Sequence, residues 1–280
     1  MVRRGQAGTM GTSVFPCLFV ILLAGGSPAG CAEDSGSASH GAEGDAEKLV
    51  LLNDIADVEA FISGAEVAVV GFFQEPQGAA AAQLRLAAGH IPEVPVGISS
   101  SPAVLEHFGV SASTLTLFRR ADNDRRDLDV DSENMNAEKM SRFIRMNELR
   151  LVTEYNPVTA VGVLHSSLEI HLLLITDKKS PEHPERMHRY RAAAELFEKK
   201  ILFILVDINL KSNEQVMAYF KLKKSQLPAL AIFYTPDEER DVLPLDEFSV
   251  ERVQDFCNTF LQRIQKKEEE QEKKALNEEL

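Results

Sequence analysis

Residues 225–234 read Ser225-Gln226-Leu227-Pro228-Ala229-Leu230-Ala231-Ile232-Phe233-Tyr234: a polar turn, a proline, then an uninterrupted apolar run. A short apolar run bounded by turn signals has the length of a buried strand. Runs of the same kind occupy residues 67–73, 170–176 and 201–207. Strands that are apolar on both faces need cover on both faces, so they belong in a sheet with helices above and below. Around the opening stretch, residues 214–220 read as a helix, 235–241 as a turn and 242–243 as a short edge strand. Residues 250–265 close the unit as a helix, with Val250, Val253, Phe256, Cys257, Phe260, Leu261 and Ile264 at helical spacing.

The same order of elements occurs twice. In the second copy, residues 151–155 read as a strand and 157–164 as a helix with Pro157 at its opening. A strand at 170–176, a long helix at 184–199 and a buried strand at 201–207 follow. In the first copy, 67–73 is a strand, 78–88 an Ala-rich helix, 96–99 a strand and 102–108 a short helix. Residues 115–119 and 128–130 then pair around a turn at 122–124, and 137–147 closes as a helix. This alternation predicts an α/β fold of two tandem domains, each a mixed central sheet flanked by helices. The expected division is a signal peptide at 1–32, a leader at 33–48, a first domain at 49–149, a second at 150–265 and a charged tail at 266–280.

Composition narrows the function. The chain has 280 residues, 44% of them hydrophobic, which is enough for two cores, and a formal net charge of −13. That balance argues against nucleic acid, whose phosphates need clustered Lys and Arg. Arg3 and Arg4 precede a short apolar run at 14–24 and a series of small residues, the layout of a secretory signal. A lipoprotein signal ending at Cys31 is the rival reading of that end. No segment reaches the roughly 20 apolar residues that a membrane helix needs, so no membrane is expected as a partner and the protein is expected as a monomer. Asn277-Glu278-Glu279-Leu280 resembles the Lys-Asp-Glu-Leu retrieval signal, which points to the endoplasmic reticulum lumen.

The three cysteines are Cys17, Cys31 and Cys257. Only Cys257 lies in the body, on the apolar face of the last helix, where it is expected to be an inert buried thiol. His183 and His188 are five residues apart with Pro184 between them, a poor spacing for metal ligands, and no phosphate loop or nucleophile elbow occurs. The expectation is a protein with no catalytic residues, metal or cofactor, and so not an enzyme.

Thioredoxin enzymes place Cys-x-x-Cys just after a buried strand, where a helix N-terminus lowers the thiol pKa. The matching positions here hold Gln74-Glu75-Pro76-Gln77-Gly78 and Asp177-Lys178-Lys179-Ser180, neither with a thiol. Residues 151–155, 200–207, 225–230 and 253–257 resemble the non-catalytic b and b′ domains of protein disulfide isomerases. With its two expected ends, the chain is similar to a redox-inactive two-domain member of that family. The resemblance implies two thioredoxin-like domains and a cis peptide bond before Pro228, a proline that Ser113-Thr114-Leu115 of the first copy lacks.

It also implies a hydrophobic pocket in the second domain that binds unfolded polypeptides. Carried onto this sequence, the pocket wall is Tyr155, Ala160, Leu164, Val216, Tyr219 and Phe220, with Phe233 nearby on the strand. The two tyrosines are expected to keep their polar tips wet. A further implication is recruitment of the disulfide isomerase that works with calnexin and calreticulin, through a Glu-Trp-Asp segment on the loop after the last long strand. Here that loop carries Glu238, Glu239, Arg240 and Asp241, and the chain contains no Trp. Arg240 stands in the place of the aromatic anchor, which weakens the expected contact. A second reading from composition is a lumenal low-affinity calcium-binding protein that uses acidic stretches such as residues 122–131.

Overall fold

The computed structural model describes residues 49–132 and 134–278. The expected signal peptide and leader, with Cys17 and Cys31, and Glu279 and Leu280 lie outside the described residues. The first half runs β1 (Leu49–Leu51), α1 (Ile55–Ser63), β2 (Val67–Phe72), α2 (Ala79–Gly89), β3 (Val96–Ser99), α3 (Pro102–His107), β4 (Thr114–Arg119), β5 (Asp124–Asp129) and α4 (Ala137–Asn147). The second half repeats it: β6 (Val152–Glu154), α5 (Ala160–Leu164), β7 (Ile170–Thr176), α6 (His183–Leu196), β8 (Leu202–Asp207), α7 (Glu214–Tyr219), β9 (Ala229–Tyr234), β10 (Glu239–Pro244) and α8 (Val250–Glu278).

Each half builds a five-stranded sheet, in the order β1-β3-β2-β4-β5 and β6-β8-β7-β9-β10. In the second sheet β6 and β7 lie parallel to β8, β9 runs antiparallel to β7, and β10 runs antiparallel to β9. Side chains alternate across the pleat, so Leu172 and Leu174 of β7 join one core cluster and Leu173 and Ile175 the other. Tyr190, Phe197, Phe203, Val253, Cys257 and Phe260 pack on the first face. The Tyr190 hydroxyl lies 2.8 Å from the Leu172 carbonyl oxygen and 3.2 Å from that of Ile204. The peptide bond Leu227-Pro228 is cis and leads directly into β9.

Several elements differ from their expected bounds. Helix α5 begins at Ala160 rather than at Pro157. The Asn156 carboxamide oxygen accepts from the backbone N–H of Val158 at 2.8 Å and Thr159 at 3.1 Å, which holds the proline in a turn before the helix. Helix α8 does not stop at residue 265 but continues to Glu278. The charged run is rich in helix-forming Glu and Lys. It also pairs internally, with Gln265 donating to Glu269 at 3.3 Å and Lys266 lying 3.9 Å from Glu270.

The two halves meet through a polar seam. Arg120 donates to both carboxylate oxygens of Glu198, at 2.9 and 3.0 Å. Glu66 pairs with Arg191 and accepts from the backbone N–H of Leu151 at 2.9 Å. Behind these contacts, Arg119 and Asp122 form an ion pair at 2.6 Å with both side chains fully buried. Asp122 also accepts from the Ser166 hydroxyl at 3.2 Å, which ties the pair to the second half.

Candidate functional site

The seven residues expected to form the pocket come from four elements and meet in one apolar cluster on the α5–α7 face of the second sheet. Ala160 and Leu164 come from α5, Val216 and Tyr219 from α7, Tyr155 from the end of β6, Phe233 from β9, and Phe220 caps α7. Tyr155, Ala160, Val216, Phe220 and Phe233 are buried, whereas Leu164 and Tyr219 keep part of their surface exposed. Phe233 is wholly interior and meets Tyr219 edge-on, with ring centroids 6.1 Å apart. Ile208, Leu168 and Met217, which the sequence reading does not single out, are partly buried against the same cluster.

Tyr155 is not the wet aromatic expected of it. Only 6% of it is exposed, and its backbone N–H donates to the Leu205 carbonyl at 2.8 Å, extending the ladder of β6 and β8. Burial pushes its phenol up to about 12. The hydroxyl oxygen of Tyr219 is likewise out of solvent, although its side chain is only half-buried, so the partly exposed members of the cluster include Tyr219 and Met217 on the α7 rim and Leu164 on α5.

The segment expected to recruit a partner is not a loop. Its last three residues begin β10, because the ladder with β9 starts at Glu239 opposite Tyr234 and continues with Arg240 opposite Phe233. Only Glu238 stays in the turn, with a left-handed φ of 57°. The pleat then divides the segment. Glu239 and Asp241 face α8, where Arg263 reaches them at 2.8 and 3.2 Å and Lys267 lies 2.8 Å from Glu239. Arg240 faces the other way, and its guanidinium carbon sits 4.3 Å from the centroid of the Tyr219 ring. That is cation–π distance, so the residue in the aromatic-anchor position lies on the rim of the candidate pocket.

Thiol chemistry has no foothold among the described residues. Cys257 is fully buried, and burial pushes its thiol up to about 12, far from the thiolate that exchange requires. No group of three or more His, Cys, Asp or Glu side chains is placed to hold a metal ion among the described residues. Three of the five aspartates at 122–131 are bound up with arginines. Asp122 and Asp124 lie on Arg119, Asp124 also meets Arg126 at 2.9 Å, and Asp127 meets Arg125 at 3.1 Å.

The thioredoxin-like domain family matches residues 73–259. Endoplasmic reticulum resident protein 27 of Homo sapiens is 50% identical over 219 residues, covering 78% of this chain and 80% of that protein. The Mus musculus protein of the same name is 43% identical over 235 residues, covering 84% and 86%.

The chain belongs to the endoplasmic reticulum resident protein 27 family.

It is thereby a protein of the endoplasmic reticulum with thioredoxin-like domains. The protein disulfide-isomerase of Gallus gallus is 31% identical over 212 residues, and the match spans 75% of this chain but only 41% of that longer protein. No helix among the described residues is long and apolar enough to cross a membrane. In this chain, the features that bear on the site are Arg240 over Tyr219 and the engagement of Glu239 and Asp241 by α8.

Proposed function

We propose that the chain is a non-catalytic lumenal protein that binds unfolded polypeptides at the α5–α7 face of its second domain. The supporting observation is the convergence of seven residues from four elements into one apolar cluster whose α7 rim stays partly exposed. Apolar contact yields about 25 cal/mol per Å² buried without demanding a sequence, which suits a binder of many clients. The positions where the fold would place reactive thiols hold Gln74–Gly78 and Asp177–Ser180, in keeping with binding rather than exchange.

Titration of a fluorescent unfolded polypeptide into the wild type and Tyr219→Ala tests this reading. The variant is expected to keep its far-UV dichroism and to bind about tenfold more weakly, the order of effect of removing an aromatic anchor. Unchanged affinity would sink the assignment.

Recruitment of a disulfide isomerase by Glu238, Glu239, Arg240 and Asp241 is the second part of the proposal. A basic partner surface would have to compete with Arg263 and Lys267 for the same carboxylates. Affinity for the isomerase that works with calnexin and calreticulin should rise in Arg240→Trp. Tight binding by the natural chain with no gain from the substitution would place the contact elsewhere.

A further inference from the structure

The rim of the candidate pocket reverses the sign of the molecule. The whole chain carries −13, yet the α7 rim is followed at once by Lys221-Leu222-Lys223-Lys224. Leu222 buries itself in the pocket cluster while the three lysines beside it are exposed. The exposed Arg240 comes in from β10 to lie on the half-buried Tyr219. None of these four cations forms an ion pair among the described residues, whereas Arg263 and Lys267 on the far face of β10 are each held by carboxylates. The acids that flank Arg240 in sequence, Glu239 and Asp241, are held by Arg263, and Glu238 is also engaged.

We infer that this collar selects its clients, favouring unfolded segments in which a carboxylate stands beside the apolar side chain that enters at Tyr219. The inference rests on the pocket reading above and adds the chemistry of the occupant. A guanidinium stacked on an aromatic ring keeps its N–H edge free, and that edge matches the two oxygens of a carboxylate. Unpaired cations at the margin of an apolar patch also speed encounter with acidic chains and make it sensitive to salt.

The test uses the full chain and two twelve-residue fluorescent peptides. One carries a Phe flanked by two Asp, and the other is its Asn counterpart. The Asp peptide is expected to bind at least fivefold tighter in low salt, and the gap should close as salt rises. Arg240→Gln, alone or with Lys221→Gln, Lys223→Gln and Lys224→Gln, should bring the Asp peptide down to the level of the Asn peptide. Tyr219→Ala should weaken both. Equal binding of the two peptides to the wild type, with both still sensitive to Tyr219→Ala, overturns the inference and leaves the pocket standing. Insensitivity of both peptides to Tyr219→Ala overturns the pocket and the inference together.

Discussion

His171 is an imidazole where its strand neighbours are aliphatic. It is 3% exposed, and its Nε2 lies 2.9 Å from the Leu168 carbonyl oxygen, to which it donates. Burial pushes its pKa down to about 4. The unfolded chain takes up this proton near pH 6.5, while the folded chain resists it until about pH 4. The stability that the neutral ring contributes is therefore present above pH 6.5 and lost as pH falls through that window. Urea unfolding at pH 7 and pH 5 should differ by about 2 kcal/mol from this group, in favour of pH 7. In His171→Gln that difference should shrink accordingly, and an unaltered pH slope would assign the dependence to other groups. Tyr190 offers a companion measurement. Its hydroxyl is within reach of two buried carbonyls, so Tyr190→Phe should cost about 1 kcal/mol in thermal or urea unfolding.

Among the elements, those whose reason for being strands lies in their own side chains were legible in the sequence. β2, β7, β8 and β9 are predominantly apolar runs, and each appears where its run predicts. β5 and β10 are different: Asp124-Arg125-Arg126-Asp127-Leu128-Asp129 has the composition of a turn and is a strand because β4 supplies a ladder partner for every residue. β10 likewise extends to Glu239 through its register with β9, which no local pattern announces. The three-residue β1 and the helix α1 also escape a reading by apolar periodicity, although Asp54 accepting from the Asp57 N–H at 2.8 Å is a capping signal that the sequence does contain. The candidate pocket follows the same rule. Its wall could be carried over because those residues are apolar, whereas Arg240 was readable only as a substitution, since its place over Tyr219 depends on β10 being a strand. The far end of α8 is tied to β9, β10 and the turn between them, through Lys267 on Asp237 and Glu239 and the Tyr234 hydroxyl on Glu268 at 2.8 Å. Lys267→Ala with Glu268→Ala should speed amide exchange across residues 266–274 and leave the melting temperature of the body unchanged. Unchanged exchange would mean that internal pairing alone holds this part of the helix.

For the whole molecule, the seam between the halves contains two kinds of ion pair that should behave differently. Arg120 is half exposed, so its pair with Glu198 competes with water, and Glu198→Ala should cost no more than about 1 kcal/mol. Arg119 and Asp122 are fully buried, so Asp122→Ala leaves a guanidinium with part of its compensation gone and should cost roughly 3–5 kcal/mol. Equal effects of the two substitutions in urea unfolding would show that the buried pair is not what secures the seam.

The sheet margins carry one more consequence. A folded protein with open sheets must not become a template for aggregation. An open strand margin is such a template, because its unpaired amides and carbonyls invite an extra chain. In both sheets one outer strand is only three residues long, β1 and β6. Of the other two, β5 is charged at five of its six positions, and β10 ends in Pro244 with α8 ion-paired along its face. The charges that hid the first half of each of these strands from a reading of the sequence are the same ones that discourage fibrous growth from the folded protein.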